Sequence, residues 1–225
     1  MALRLYIETS TTNCSVCLAN DDKVIYFKEE NDKNYSHSEK LHVFIKEAYE
    51  TAKIQPQDVS AIIVGKGPGS YTGLRIGVST AKGLCFASDI KLIAIESLEI
   101  LAQSIPISEG VIISLLDARR MEVYSAIFNS NYEQIRETKA EIITENSFSS
   151  YLAKGKVHFI GNGAEKCKGV ITHKNAVFYD EIYFPSAKHM IAIGMDKHKK
   201  NDIEDVAYFE PYYLKDFVGT KPKKK

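Results

Sequence analysis

The sequence has few cysteines, no excess of either charge and no long apolar run, and each of these absences excludes a class of protein. Four cysteines in 225 residues are too few for a disulfide scaffold. No apolar run is longer than four residues, whereas a membrane-spanning helix needs about 20. The N-terminal stretch carries Glu8 too early for the apolar core of a signal peptide. The sequence therefore predicts a cytoplasmic protein with reduced thiols and no membrane segment.

The charges balance, with 29 Lys and Arg against 29 Asp and Glu. A dedicated nucleic-acid-binding protein should be basic overall, so this class is disfavoured. Four lysines lie within residues 221–225, and without them the count is 25 against 29, a net charge of −4. Residues 221–225 are predicted to form a disordered tail.

What is present is the composition of an ordinary globular protein, and its pattern predicts two successive α/β units. In the first, the predicted elements are strands over 3–7, 14–19 and 23–28, a helix over 36–53, a strand over 59–64, a helix over 71–87 and a strand over 92–95. In the second, they are strands over 111–116, 122–128 and 134–138, a helix after Asn146, a strand over 157–160 and a helix over 186–199.

The duplicated order of elements predicts two similar halves, each with a mixed sheet and flanking helices, around a cleft. The boundary is placed at Ile105-Pro106-Ile107, which gives domains 1–105 and 106–220. This prediction leaves room for the last helix, over 186–199, to pack against the first half.

The most informative segment is Gly67-Pro68-Gly69-Ser70-Tyr71-Thr72-Gly73, between a predicted strand and a predicted helix. Such a segment turns sharply and lets the backbone approach something closely. One interpretation is a phosphate cradle at the helix start. The other is a tight turn that seats the helix on its sheet. In the first interpretation the phosphate contacts are Thr9, Ser10, Gly67, Gly69 and Ser70.

Small residues recur at every fourth position in the helix that follows this loop. Gly73, Gly77 and Ala81 form a stripe that permits close approach of another backbone. The spacing leaves two partners open, namely the protein's own sheet and another chain.

The remaining clusters predict neither a catalytic residue nor a metal ligand. His37 and His42 are about 140° apart on a helix, so their rings do not converge on one ion. Cys14 and Cys17 lie three residues apart on a strand and face opposite sides. Three charged residues at a strand end form either an ion-paired turn or part of a cleft lining: Asp117, Arg119 and Glu122.

Six segments match a known family in order and position. They are Ile7-Glu8-Thr9-Ser10, His37-Ser38-Glu39, residues 67–77, residues 117–124, Gly161-Asn162-Gly163 and Glu210-Pro211-Tyr212-Tyr213-Leu214. Together they resemble the bacterial TsaB (YeaZ) family, over nearly the whole chain. The stretch 67–77 is the most specific of them.

The resemblance implies the α/β actin/Hsp70-like ATPase (ASKHA) fold and a non-catalytic scaffold role beside a TsaD-like catalytic subunit. With a TsaE-like ATPase and nucleotide, that complex transfers threonylcarbamoyl to N6 of the adenosine beside the anticodon in tRNAs reading codons that begin with A. It implies no intrinsic cofactor, a nucleotide only in the assembled complex, and tRNA contact through the complex.

The resemblance also implies dimerisation through helices of the first half, with the TsaD-like subunit or, in its absence, with a second copy. The corresponding segments are 36–53 and 71–87. The residues predicted for this interface are Leu41, Phe44, Ile45, Ala48, Gly73, Leu74, Gly77, Val78, Ala81 and Cys85.

The chain departs from the catalytic relatives, which carry two histidines separated by three residues, since no such pair occurs in its sequence. Two alternatives stay open at this point. One is a stand-alone ASKHA-fold ATP-dependent kinase or glycoprotease-like hydrolase, motivated by the glycine-rich loop and Glu8-Thr9-Ser10. The other is a tRNA-binding module that uses the C-terminal lysines with Arg119 and Arg120.

Overall fold

A computed structural model of the chain describes residues 2–31, 37–179, 181 and 183–215. The lysine-rich tail lies outside these ranges, so its predicted disorder stays a prediction. Among the described helices, none is long and apolar enough to cross a membrane.

Two five-stranded mixed sheets form the framework. The first contains β1 (Leu3–Glu8), β2 (Asn13–Asn20), β3 (Lys23–Asn31), β4 (Ala61–Gly67) and β5 (Lys91–Glu96), in the order β3-β2-β1-β4-β5. The second contains β6 (Val111–Asp117), β7 (Glu122–Asn129), β8 (Gln134–Ile142), β9 (Val157–Ile160) and β10 (Ala176–Phe178), in the order β10-β9-β6-β7-β8.

The two sheets have the same topology. In each, the first strand is central, antiparallel to the second strand and parallel to the fourth. The β1–β2 turn in the first half is therefore equivalent to the β6–β7 turn in the second. The predicted duplication of a mixed sheet with flanking helices is confirmed.

Six helices flank these sheets in the described part of the chain. They are α1 (His37–Ala52), α2 (Tyr71–Ser88), α3 (Ser97–Ala102), α4 (Ser149–Leu152), α5 (Ala164–Lys168) and α6 (Ile191–Lys199). Two short 3-10 turns, Pro56–Asp58 and Ala187–Met190, accompany them.

Strands β1, β2, β4 and β5 of the first sheet are buried on both faces, whereas β3 is not. Helices α1 and α2 cover one face, where Cys14 contributes to the core, and α3 and α6 cover the other, where Cys17 does. The prediction that these two cysteines face opposite sides is confirmed. Helix α3 also packs on the second sheet and so joins the halves. The domain boundary near residue 105 stays a prediction.

The structure corrects several predicted elements. Strand β4 continues through Gly67 instead of ending at residue 64, with a register shift against β5 between Gly65 and Gly67. Parallel pairing with β5 holds this glycine-rich stretch extended, although its local propensity is low. The predicted helix over 186–199 is a 3-10 turn followed by α6, and three short elements, α3, α5 and β10, were not predicted.

Candidate functional site

The glycine-rich loop and the start of α2 lie on the chain's own β1–β2 turn. The Ser70 backbone N–H donates to the Ser10 carbonyl oxygen at 2.6 Å. The Thr9 hydroxyl donates to the Gly73 carbonyl oxygen at 2.7 Å. Thr9 and Ser10 are at most 1% exposed. Groups that the phosphate-cradle interpretation assigns to an anion are therefore occupied by the protein's own turn.

Three glycines make this contact possible. A Cβ on Gly69 would lie 2.2 Å from the Ser10 carbonyl oxygen, and one on Gly73 would lie 2.1 Å from the Thr9 carbonyl oxygen. At Gly77 it would lie 2.3 Å from Thr9 Oγ1. The open question about the small-residue stripe is thus answered for Gly73 and Gly77, because the atoms that they approach belong to Thr9 of the same chain.

Glu8, at the end of β1, is fully buried beneath β4. Its Oε1 accepts a hydrogen bond from the Ser10 N–H at 2.5 Å, while Oε2 has no hydrogen-bond partner among the described residues. A Cβ on Gly65 would lie 1.9 Å from that second oxygen. Loss of solvation raises the pKa of Glu8, against the hydrogen bonds to Ser10, which lower it. The burial therefore favours a neutral carboxyl that packs as part of the core.

The two histidines of α1 are placed apart, as their spacing predicts. His37 is buried, and its Nε2 lies 2.7 Å from the Thr11 carbonyl oxygen. Burial lowers the pKa of His37. His42 is exposed and lines an open groove of about 560 Å³ near the end of α1. No group of three or more His, Cys, Asp or Glu side chains within the described ranges is arranged to hold a metal ion.

The ten residues predicted for a partner interface are all buried within this chain. Leu41, Phe44, Ile45 and Ala48 of α1 pack on the first sheet beside Val78, Ala81 and Cys85 of α2. Gly73, Leu74 and Gly77 are buried at the start of α2. Periodicity selects this face because it is the apolar one, and that face is the core.

The outward face of α2 carries a feature that periodicity did not reveal. Phe86 is 86% exposed, and a Cβ on the neighbouring Gly83 would meet nothing within 4 Å. On α1, Val43 is 48% exposed. The sequence signal available for this surface was a phenylalanine that lies off the apolar stripe of the helix.

The C-terminal segment, residues 204–215, crosses the first half and reaches the loop. Lys82 of α2 donates to the Phe209 carbonyl oxygen at 2.7 Å. The Tyr212 N–H donates to the Lys66 carbonyl oxygen at 2.7 Å. The Tyr213 ring lies 4.8 Å from that of Tyr71, centroid to centroid. The matched Glu210–Leu214 segment thus covers the loop, a role that sequence reasoning did not assign.

The β6–β7 turn has ion pairs, but not the ones predicted. Asp117 pairs with Lys166 at 2.6 Å and Glu122 pairs with Lys215. Arg119 donates its backbone N–H, rather than its guanidinium, to Asp117 Oδ1 at 2.5 Å. Lys166 lies 49 residues from Asp117 in sequence, so local spacing could not identify the pairing.

Comparison with known proteins agrees with this architecture. The family model for TsaD, tRNA N6-adenosine threonylcarbamoyltransferase, matches residues 31–218. The tRNA threonylcarbamoyladenosine biosynthesis protein TsaB of Escherichia coli K12 is 29% identical over 227 residues, 96% of each chain. TsaB of Buchnera aphidicola subsp. Schizaphis graminum is 30% identical over 204 residues, covering 87% of this chain and 94% of that protein.

Among solved structures, YeaZ from Pseudomonas aeruginosa superposes with a TM-score of 0.81 at 22% identity, over 95% of this chain and 100% of that one. The duplicated mixed sheets and the TsaD match define the class: a two-lobed protein of the actin/Hsp70-like ATPase (ASKHA) fold. Within that class, the chain belongs to the TsaB (YeaZ) family of the TsaD-like proteins. The predicted fold and the resemblance are confirmed.

Proposed function

We propose that this chain is a non-catalytic scaffold subunit of the complex that installs threonylcarbamoyl on N6 of the adenosine beside the anticodon, in tRNAs reading codons that begin with A. Its main partner is a TsaD-like catalytic subunit. Family membership supports the pathway, and the sequence supports the division of labour, since its six histidines include no pair separated by three residues.

One observation carries the scaffold role. In the first half, the loop that an ASKHA-fold enzyme would turn toward phosphate is bonded to Thr9 and Ser10 of the same chain. A phosphate could enter only if α2 moved away from the β1–β2 turn. Because the contact consists of a backbone hydrogen bond of 2.6 Å and a hydrogen bond of 2.7 Å from the buried Thr9 hydroxyl to a backbone carbonyl, such a movement would break the packing of the first half.

The outward faces of α1 and α2 are the proposed docking surface. Phe86 and Val43 are the exposed large apolar side chains on these two helices, within the described residues. Gly83 lies beside Phe86 and leaves room for a partner side chain. An aromatic side chain that enters a partner pocket typically dominates the binding free energy of an interface. The ten buried residues support these helices from behind.

The test is co-purification with the TsaD-like subunit after Phe86→Glu. Because the Phe86 side chain is 86% exposed, we expect its replacement to change the free energy of unfolding by less than about 0.5 kcal/mol. Loss of the anchor and burial of a charge should abolish the complex. The matched control is Ile142→Glu on β8, which removes another exposed apolar side chain (68%) outside α1 and α2. Equal complex formation by the two variants would contradict the proposed docking surface.

We further propose that the same surface forms a homodimer when the TsaD-like subunit is absent. In the complex that contains the TsaD-like subunit, a TsaE-like ATPase and nucleotide act on the assembled particle, in the cytoplasm. The expectation is that added TsaD-like subunit converts the homodimer to the heterodimer in size-exclusion chromatography with light scattering. If saturating TsaD-like subunit bound to the homodimer without separating its two copies, the result would contradict a shared surface.

The enzymatic alternative has its own test. Calorimetric titration of ATP with Mg²⁺ into the isolated chain should give no heat and no hydrolysis product if the loop is occupied by the β1–β2 turn. Micromolar ATP binding would contradict the scaffold proposal, because that proposal depends on the β1–β2 turn occupying the loop.

A further inference from the structure

Arg119 and Arg120 form the exposed end of the β6–β7 turn. Both side chains are exposed, and neither guanidinium has an ion-pair or hydrogen-bond partner in the part of the chain that the structure describes. The chain carries 29 positive and 29 negative charges overall, so two arginines without ion-pair partners at one turn are a local excess of positive charge.

The carboxylates around these arginines are already neutralised. Asp117, at one end of the turn, is paired with Lys166 at 2.6 Å. Glu122, at the other end, is paired with Lys215 of the C-terminal segment. The turn and its ion-pair partners therefore contain two acidic and four basic side chains, and the two charges in excess are those of Arg119 and Arg120.

The turn is held in place by hydrogen bonds at each end. The Ala118 N–H donates to the Glu122 carbonyl oxygen at 3.1 Å, and the Glu122 N–H donates to the Arg119 carbonyl oxygen at 3.1 Å. Lys166 Nζ also donates to the Glu122 carbonyl oxygen, at 3.0 Å.

Arg119 and Arg120 both have left-handed backbone conformations, with φ of 72° and 51°. Such conformations cost an L-residue roughly 1–2 kcal/mol each. The hydrogen-bonded ends of the turn offset that cost. The two guanidiniums therefore extend from a backbone of defined shape.

We propose that Arg119 and Arg120 bind phosphodiester groups of the RNA substrate. The guanidinium is planar, always charged and suited to bidentate contact with phosphate oxygens. Contacts of this kind position an RNA without reading its sequence. The inference rests on the proposed function, because the RNA is the tRNA that the complex modifies. The contact is an auxiliary one, since residues 1–220 carry 25 basic against 29 acidic residues, a net charge of −4.

The test is binding of an unmodified tRNA transcript that reads an A-initial codon by the complex with the TsaD-like subunit, measured by fluorescence anisotropy at several KCl concentrations. The variant is Arg119→Asn with Arg120→Asn, because asparagine is neutral and tolerates the left-handed conformation. Loss of two phosphate contacts should lower the slope of log affinity against log salt by about 1.4–1.8 and weaken binding roughly 10- to 30-fold at 0.15 M salt.

Two further variants make the test specific. Lys23→Asn with Lys154→Asn removes the same charge from exposed positions outside the turn and should leave the salt slope unchanged. Arg119→Lys with Arg120→Lys keeps the charge and should keep most of the slope. A wild-type salt slope in the Arg119→Asn, Arg120→Asn variant would overturn the inference. Equal losses of tRNA affinity in that variant and in the Lys23→Asn, Lys154→Asn control would also overturn it.

The failure of this inference is distinguishable from failure of the proposed function. Size-exclusion chromatography of each variant with the TsaD-like subunit is expected to show unchanged complex formation, because the arginines lie outside α1 and α2. If the wild-type chain forms no complex, the proposed function fails. If every complex forms and binds tRNA equally well, only the assignment of the arginines fails.

Discussion

The β1–β2 turn and the β6–β7 turn occupy equivalent places in two sheets of the same strand order, yet one is core and the other is surface. In the first half, α2 has 18 residues, and Gly73 and Gly77 within it, together with Gly69 just before it, lie against the turn. In the second half, the corresponding helix α5 has five residues, and the turn carries two exposed arginines. The length and packing of the covering helix thus decide what each turn is able to contact.

The side chains at the two strand ends follow the same difference. Glu8, which ends β1, is buried and has a raised pKa. Asp117, which ends β6, has a side chain 43% exposed and paired with Lys166. The first half thus buries the carboxyl of its strand end in the core, while the second keeps its strand-end carboxylate at the surface in an ion pair.

The largest effect is expected from adding one methyl group to the covered turn. Gly73→Ala places a Cβ 2.1 Å from a backbone carbonyl oxygen that cannot move without displacing β1. Overpacking of this kind typically costs about 1–3 kcal/mol, and the severity of this contact places the expected loss near the upper end. Urea denaturation followed by circular dichroism measures it.

Two other glycines calibrate that result. A Cβ on Gly163 would lie 3.1 Å from atoms of Leu115 and Leu116, so Gly163→Ala should cost roughly 1 kcal/mol, less than Gly73→Ala. Gly83→Ala meets open space and should stabilise α2 by up to about 1 kcal/mol. Equal effects of the Gly73 and Gly163 changes would show that the ends of β1 and β6 are packed equally tightly by the helices that follow β4 and β9.

The second effect concerns Glu8 and pH. Because its pKa is higher in the folded than in the unfolded protein, its contribution to stability is complete below the unfolded value, near 4.5, and is lost as pH rises toward the folded value. Glu8→Gln keeps the shape of the neutral carboxyl and removes this titration. The variant should therefore gain stability relative to the wild type as pH increases above 4.5, by at most about 1.4 kcal/mol per pH unit.

Urea denaturation at a series of pH values measures the difference between the two proteins. A difference in unfolding free energy that does not vary with pH would mean that the Glu8 carboxyl is solvated, and the contrast between the two strand ends would disappear. The conservative change also limits the risk that the variant fails to fold.

Much of the first half was predictable because its periodicity is strong. The stripe Leu41, Phe44, Ile45 and Ala48 identified α1 and its buried face, since three- and four-residue spacing of apolar side chains is specific to an amphipathic helix. The stripe of Gly73 and Gly77 predicted a close backbone approach. Spacing alone could not say what is approached, because Thr9 lies 64 residues before Gly73.

The elements that were missed are short or depend on distant contacts. Helix α5 and strand β10 have five and three residues, too few for a periodic signal. The extension of β4 through Gly67 depends on its pairing with Glu96 in β5, which overrides the low strand propensity of glycine. Phe86 was overlooked because an exposed side chain follows no pattern of burial.

The smallest effect is expected at the ion pair of the second turn. Asp117 is 43% exposed and Lys166 is 17% exposed, so water screens part of their attraction. A double-mutant cycle with Asp117→Ala and Lys166→Ala should give a coupling of about 0.2–1 kcal/mol in unfolding free energy. Because Lys166 also donates to the Glu122 carbonyl oxygen and Asp117 also accepts from the Arg119 N–H, each single change should cost more than the coupling between them. A coupling as large as the cost of Gly73→Ala would mean that the second turn is as essential to folding as the first.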